Sequence, residues 1–289
     1  MNQAFFVLKK EKNMVEYLYP LFNEHPNKEV FKILSLFGLL KTAFKRNKIY
    51  VFNHMINTLG SFIFGYVYAC VWTALLQGKP PSQVRQMVTY VMVNQASLWV
   101  TMFLPYGCFL YEKTREGTIS FDLLKPYSLL QLSLFEVGGH CFYNLLFRSL
   151  PIFLFSIFLL QIELPVPKIL LPYFLSLFLA FLVSFFLNYI VGLWALKFFN
   201  ISAAQNTYYF LMNLFGGFFL PAEYFPPALR LVISIQPFAC SGYIPSSIYL
   251  GRLNPVFGIT VQAVWVFVLW AVCRIITEKV TKDIRITGG

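Results

Sequence analysis

Charge is scarce in this chain. Asp, Glu, Lys and Arg make up 12% of its 289 residues, about half the share of a soluble globular protein. With 58% of residues hydrophobic, a water-soluble globule would need a larger interior than a chain of this size encloses. The same composition excludes disorder. Acidic residues are scarcer than basic ones, 12 against 23, and no two carboxylates fall in one apolar span. That leaves few groups for a proton-coupled carrier. The three histidines, His25, His54 and His140, lie far apart without metal-ligand spacing, and His140 reads as a packed polar group. Five cysteines, an odd count with no C-x-x-C, exclude a disulfide framework or a zinc site and read as small buried hydrophobes. No G-x-S-x-G and no phosphate-binding G-x-x-x-x-G-K-[ST] occurs. The nearest string, Gly38-Leu39-Leu40-Lys41-Thr42, lacks the preceding glycine, so the chain is not expected to hydrolyse ATP by itself. Residues 4–8 are apolar, but Lys9, Lys10, Glu11 and Lys12 follow at once, against the order of a secretory signal.

What the chain has in abundance is long uncharged runs. A helix needs about 20 apolar residues to cross a bilayer. Uncharged gaps of 30, 26, 28, 25 and 21 residues follow Lys48, Arg85, Lys168, Lys197 and Arg252. A further span between Lys125 and Lys168 is interrupted by Glu136, Arg148 and Pro151. The reading is an all-α membrane protein with six transmembrane helices. They are expected at about 52–76, 85–109, 131–160, 169–196, 203–221 and 254–276, with a cytoplasmic tail over 277–289. Seventeen Lys and Arg fall on the side of the termini and five on the other, with Arg148 within the third span. Both termini are therefore expected in the cytoplasm of a cell membrane. The same rule accounts for the net charge of +11 without a nucleic-acid partner, since no soluble basic domain is left over.

Residues 28–48 carry Val30, Phe31, Ile33, Leu34, Phe37, Leu40 and Phe44 at helical spacing, with Lys28, Lys32, Lys41, Lys45 and Arg46 between them. This predicts an amphipathic helix lying in the membrane interface, an elbow into the first span; a plain cytosolic helix is the alternative. Residues 1–27 form a cytoplasmic extension with no assigned role. Between the second and third spans, Glu112, Lys113, Arg115 and Glu116 mix both signs. Gly117 breaks the helix, and Ser120 begins a short turn through Phe121, Asp122, Leu123 and Leu124 that Pro126 stops. Exposed Phe and Leu on a compact turn suit docking to a partner; a simple connector is the alternative. Glu136 and Arg148, twelve positions apart, are separated by about 18 Å on one helix and cannot pair. Arg148 snorkels outward, or faces a polar pathway or a second subunit. Pro221, Glu223, Pro226 and Pro237 mark a broken stretch over about 222–250, read as a short outer re-entrant hairpin, which protein packing must shelter.

In this order, the basic elbow, six spans, charged loop and Pro-rich hairpin resemble the membrane subunit of an ABC-2-type transporter over roughly residues 28–276. The string REGTISFDLLKPYS at 115–128 resembles the G-x-I…L-L-x-P loop of one bacterial branch that often pairs two permeases with a separate ATPase. The resemblance implies an exporter. ATP and Mg are bound on a partner ATPase that grips the loop around Glu112–Leu124 and the elbow. A second permease subunit would meet the first and fifth spans, where Gly60, Gly65, Gly216 and Gly217 permit close packing. Membrane lipids surround the whole. Two rivals stand beside this reading. An ion-coupled secondary carrier would show matching half-helices in two repeats, and only one broken segment is present. An intramembrane lipid-modifying enzyme would gather His, Asp or Glu at an interface; Glu112, Glu116 and Asp122 gather without histidine. The many aromatics either line a pathway or face lipid and packed neighbours, and the substrate is left open.

Overall fold

The computed structural model describes residues 28–198 and 200–287; the N-terminal extension lies outside the described residues. In an apolar run the backbone N–H and C=O groups must find partners inside the segment, and the chain does so as helix. In order these are α1 (Lys28–Asn47), α2 (Val51–Leu75), α3 (Pro81–Thr101), α4 (Leu110–Arg115), α5 (Ile119–Leu123), α6 (Leu129–Asn144), α7 (Leu150–Leu160), α8 (Pro167–Trp194), α9 (Ser202–Phe215), α10 (Pro227–Ile235), α11 (Tyr243–Tyr249) and α12 (Pro255–Thr287). No strand occurs among the described residues. Among the described residues, five stretches are long and apolar enough to cross a membrane: Val51–Leu75, Pro81–Arg115, Leu129–Leu160, Pro167–Trp194 and Pro255–Lys282.

Local chemistry fixes several helix starts. Proline opens α3, α8, α10 and α12, where its missing N–H costs nothing and its φ is already helical. The start of the third span, poorly fixed by charge, is set by a capping box. Ser128 Oγ accepts from Gln131 N, and Gln131 Oε1 accepts from Ser128 N, both at 3.2 Å. Within that span α6 and α7 are joined by a π-helical turn, Leu145–Ser149. Pro151 supplies the cause. It has no N–H to donate, and its ring crowds the carbonyl of Phe147, so the helix widens just before it.

α3 is the central post. Tyr90, Met92 and Val93 on it are fully enclosed. α8 and α12 run side by side in the same direction, tied by Ser176 to Gln262 at 2.8 Å and Tyr189 to Thr277 at 3.1 Å. α2 touches the bundle along one stripe, His54, Thr58, Ser61, Gly65, Ala69 and Trp72. Its other faces expose Met55, Leu59, Ile63 and Val67.

Three expectations need correction. The second span does not run unbroken to residue 109. Helix α3 stops at Thr101, and Gly107, Cys108 and Phe109 then turn with φ of 51°, 54° and 66°. Left-handed geometry costs an L-residue about 1–2 kcal/mol. Buried bonds hold it: Gly107 N to Gln205 Oε1 at 3.2 Å, Gln205 Nε2 to Asn188 Oδ1 at 3.1 Å, and Asn188 Nδ2 to Pro105 O at 2.9 Å. The fifth expected span, 203–221, is helical only over the 14 residues of α9, about 21 Å at 1.5 Å per residue. Gly216 to Leu220 leave the helix, with Gly217 at φ +80°. The helix of the last span does not stop at residue 276; α12 continues through the expected tail to Thr287.

The left-handed turn rests directly on α8. A Cβ added at Gly192 would lie 2.1 Å from the Gly107 carbonyl oxygen, whereas one at Gly60 meets nothing within 4 Å. Gly192→Ala is therefore expected to destabilise the purified protein by about 3 kcal/mol, the upper end for overpacking. Gly60→Ala is expected to be neutral or slightly stabilising, as Ala is preferred in helices. Thermal unfolding in detergent measures both, and equal melting points would refute the close contact.

Candidate functional site

The elements gathered at one end of the bundle are α1, α4, α5 and the first half of α6. Helix α1 turns Leu36, Ala43 and Asn47 inward, positions separated by 7 and 4 residues and so on one face. It comes closest at Gly139, where an added Cβ would sit 2.2 Å from Leu40 O and 2.9 Å from Ala43 Cβ. Aromatic rings extend the seat. Phe37 meets Phe135 edge-on at 5.6 Å, and Phe44 lies 5.7, 5.6 and 6.3 Å from Phe142, Tyr143 and Phe147. Ser35 and Tyr127 bond through their hydroxyls. Ile33 and Leu34 stay outward and exposed, an apolar edge on a basic helix.

The ionic core of this region joins all four elements. Lys113 Nζ lies 2.6 Å from Asp122 Oδ2 and 2.5 Å from Glu136 Oε2. Lys125 Nζ lies 2.7 Å from Asp122 Oδ1, and Arg46 Nη1 3.1 Å from Glu136 Oε1. Both carboxylates are buried, at 6% and 4% exposure. Burial alone would raise the Asp122 pKa, but Lys113 and Lys125, by charge and by hydrogen bond, outweigh it and hold the carboxyl below its usual range. Arg46 also lies over the Phe109 ring, 4.8 Å from its centroid, so α1 touches the end of the left-handed turn.

This divides the sequence-predicted loop residues into two sets. Lys113 and Asp122 face inward and pair, and Leu123 is half-buried; these residues build the loop rather than coat it. Glu112, Arg115, Glu116, Phe121 and Leu124 are exposed, and Leu124 is 69% so. Ser120 lies inside α5, not at its cap, and bonds back to Gly117 O at 2.8 Å. Glu136 belongs to this ionic core.

Arg148 does not snorkel. It is 6% exposed, its guanidinium lies 4.0 Å from the Trp99 ring centroid, and Nη2 bonds His54 Nδ1. A guanidinium only donates, so Nδ1 is the bare nitrogen of a neutral imidazole. His54 Nε2 then donates to Asn47 O at 2.9 Å. Asn47 Oδ1 also meets His140 Nδ1 at 2.9 Å, so the end of α1 is tied to two spans. Trp99 Nε1 and Gln95 Nε2 donate to Ser61 Oγ at 3.1 and 2.8 Å.

At the opposite end, Pro221 precedes the 3-10 turn Ala222–Tyr224, Pro226 precedes α10, and Pro237 follows it. Glu223 Oε1 accepts from Tyr243 Oη at 3.2 Å. Gly217 O accepts from Tyr90 Oη at 2.7 Å, and Gly216 O from Tyr243 N at 2.8 Å. Gly216 and Gly217 therefore pack within this chain, against α3 and α11. Gly65 likewise seats Gln95, whose Cγ would lie 2.7 Å from an added Cβ.

Sequence reasoning missed Arg46, Asn47, His54 and Trp99. The signal for Arg46 was present: a Glu inside an apolar run requires cations nearby, and Arg46 and Lys113 flank the spans on that side. A family model described as ABC-2 family transporter protein matches residues 83–288. No curated protein matches the chain.

Proposed function

Because the chain belongs to the ABC-2 family of transporter proteins, and is thereby a multi-pass membrane component of an ABC transporter, we propose that it is the permease of an exporter driven through its α4–α5 loop. Permeases of this family work with ATPase subunits. The observation carrying the proposal is the division of the loop. Its inner charges lock it to α6 and, through Glu136, to Arg46 of α1, while Phe121, Leu124, Glu112, Arg115 and Glu116 are exposed. A lock on one side and a mixed apolar and charged face on the other suit an element that receives force from a partner and passes it to the spans.

In this reading, ATP and Mg bind on the partner ATPase, and a second permease copy or paralogue completes the pathway. Helix α1 lies in the cytoplasmic interface with Ile33 and Leu34 toward lipid. The short α9, together with residues 216–221, makes the sixth crossing and returns α12 to the cytoplasmic side, in agreement with the Lys and Arg bias of the cell membrane. Helices α10 and α11 then close the outer end. Apolar anchors at an interface centre each contribute about 2 kcal/mol or more. Phe121→Ser with Leu124→Ser is expected to weaken binding of the ATPase at least about thirtyfold without moving the melting point, because neither side chain belongs to the ionic core. Co-purification from native membranes and ATPase turnover measure this. Unchanged retention and turnover would sink the coupling role.

A further inference from the structure

We propose that the π turn of the third span is a binding site for the anionic headgroup of an amphiphile, entered from the membrane between α2 and the α6–α7 helix. The proposal rests on the chain being membrane-embedded and is independent of ATPase coupling.

Arg148 is a buried cation with no carboxylate within 4 Å among the described residues. Stacking on Trp99 and the bond to neutral His54 leave Nε buried without a partner. Two neighbours are in the same state: Ser149 Oγ and Asn144 Oδ1 are buried and unbonded. All three side chains are more than nine-tenths buried. Three unsatisfied polar atoms within six residues are uncommon, since buried polar groups nearly always find partners. A buried charge without a counter-charge is costly, and a single cation–π contact does not offset it.

The chemistry selects the ligand. Guanidinium N–H groups and a serine hydroxyl form a donor set for the oxygens of a phosphate or carboxylate, which arginine takes in a fork. Asn144 Oδ1 is left to accept from a headgroup hydroxyl. The surroundings select an amphiphile over a free ion. Met55 and Leu59 on α2, and Phe147, Leu150 and Leu154 on the third span, are each more than two-fifths exposed, a surface for acyl chains. His54 lies on the first turn of α2, which places the charge near the end of the span, at headgroup depth. Phe44 of α1 packs on Tyr143 and Phe147, and Tyr143 on His54 at 5.0 Å. Movement of α1 would uncover the site.

The test is native mass spectrometry of the full chain in mild detergent, with phosphatidylglycerol and phosphatidylcholine of identical acyl chains. Phosphatidylglycerol is expected to be retained about tenfold better, and Arg148→Gln to abolish the preference. Equal retention of the two lipids by the wild type overturns the proposal, as does a preference that survives in folded Arg148→Gln. Displacement by millimolar inorganic phosphate would make this a free-anion site and overturn the amphiphile. Should the variant fail to fold, a photoactivatable phosphatidylglycerol on the wild type decides. Crosslinks within residues 51–62 or 141–155 support the site, and crosslinks only elsewhere refute it.

Discussion

Gly139→Ala is expected to lift the N-terminal helix from the third span, whereas Gly138→Ala leaves it seated. The two glycines are adjacent in one helix, so propensity favours alanine at both by about 1 kcal/mol. Packing separates them. At Gly138 the nearest atom to an added Cβ is a flexible Leu40 methyl at 3.9 Å; at Gly139 it is the Leu40 backbone oxygen at 2.2 Å. A side-chain end can turn aside, but a helix carbonyl moves only with its helix. Overpacking costs about 1–3 kcal/mol, and relief by displacement of α1 would draw Asn47 away from His54 and His140. Trypsin cleavage after Lys41 and Lys45, both exposed, should accelerate at least about tenfold in Gly139→Ala and not at all in Gly138→Ala. Indistinguishable digestion of the two would show that α1 is not held there.

The second large effect lies in the ionic core. Removing one partner of a buried pair costs about 3–5 kcal/mol, because the other charge stays buried and uncompensated. Glu136→Gln should approach the lower figure, since Lys113 keeps Asp122 at 2.6 Å. Lys113→Met should be at least as damaging, leaving two buried carboxylates with one cation each. The double variant should cost clearly less than the sum, by about 2 kcal/mol, as expected for groups in contact. Arg46→Gln should cost under about 1 kcal/mol, because its side chain is 49% exposed and such pairs are weak. Thermal unfolding supplies all four values. Strict additivity of Glu136 and Lys113 would show that their contact carries no energy.

The helical class and the approximate spans were legible because hydrocarbon excludes charge, and charge-free runs can be counted. The length of α9 was not. The stretch after Phe215 is as uncharged as a helix interior, yet Gly216 and Gly217 turn out of it to give their carbonyls to Tyr243 and Tyr90. An absence of charge reports on solvent, not on φ and ψ. The break at Gly107 was hidden for the same reason: Gln205 and Asn188 stabilise it from distant positions. Within the loop, mixed signs at Glu112, Lys113, Arg115 and Glu116 were visible, but which charges turn inward depends on Glu136, 23 residues beyond Lys113. The separation of Glu136 from Arg148 was correctly legible, because a 1.5 Å rise per residue leaves no freedom along one helix. Their partners, on α1, α2, α3 and α4, were not.

The wide turn before Pro151 holds one residue more than an α turn. Each residue added to a straight α-helix rotates everything beyond it by about 100°; here the surplus is absorbed locally, and α6 and α7 keep their own faces. The turn is thus a place where the chain can change length inside a span without re-facing it. Deleting one residue from 145–149 would remove the surplus, preserve the packing of Leu132 and Ile152 on either side, and displace only the side chains of the turn itself, Arg148 and Ser149 among them. When relatives are aligned, a one-residue gap opposite this segment would mark those whose third span has lost the seat for that arginine.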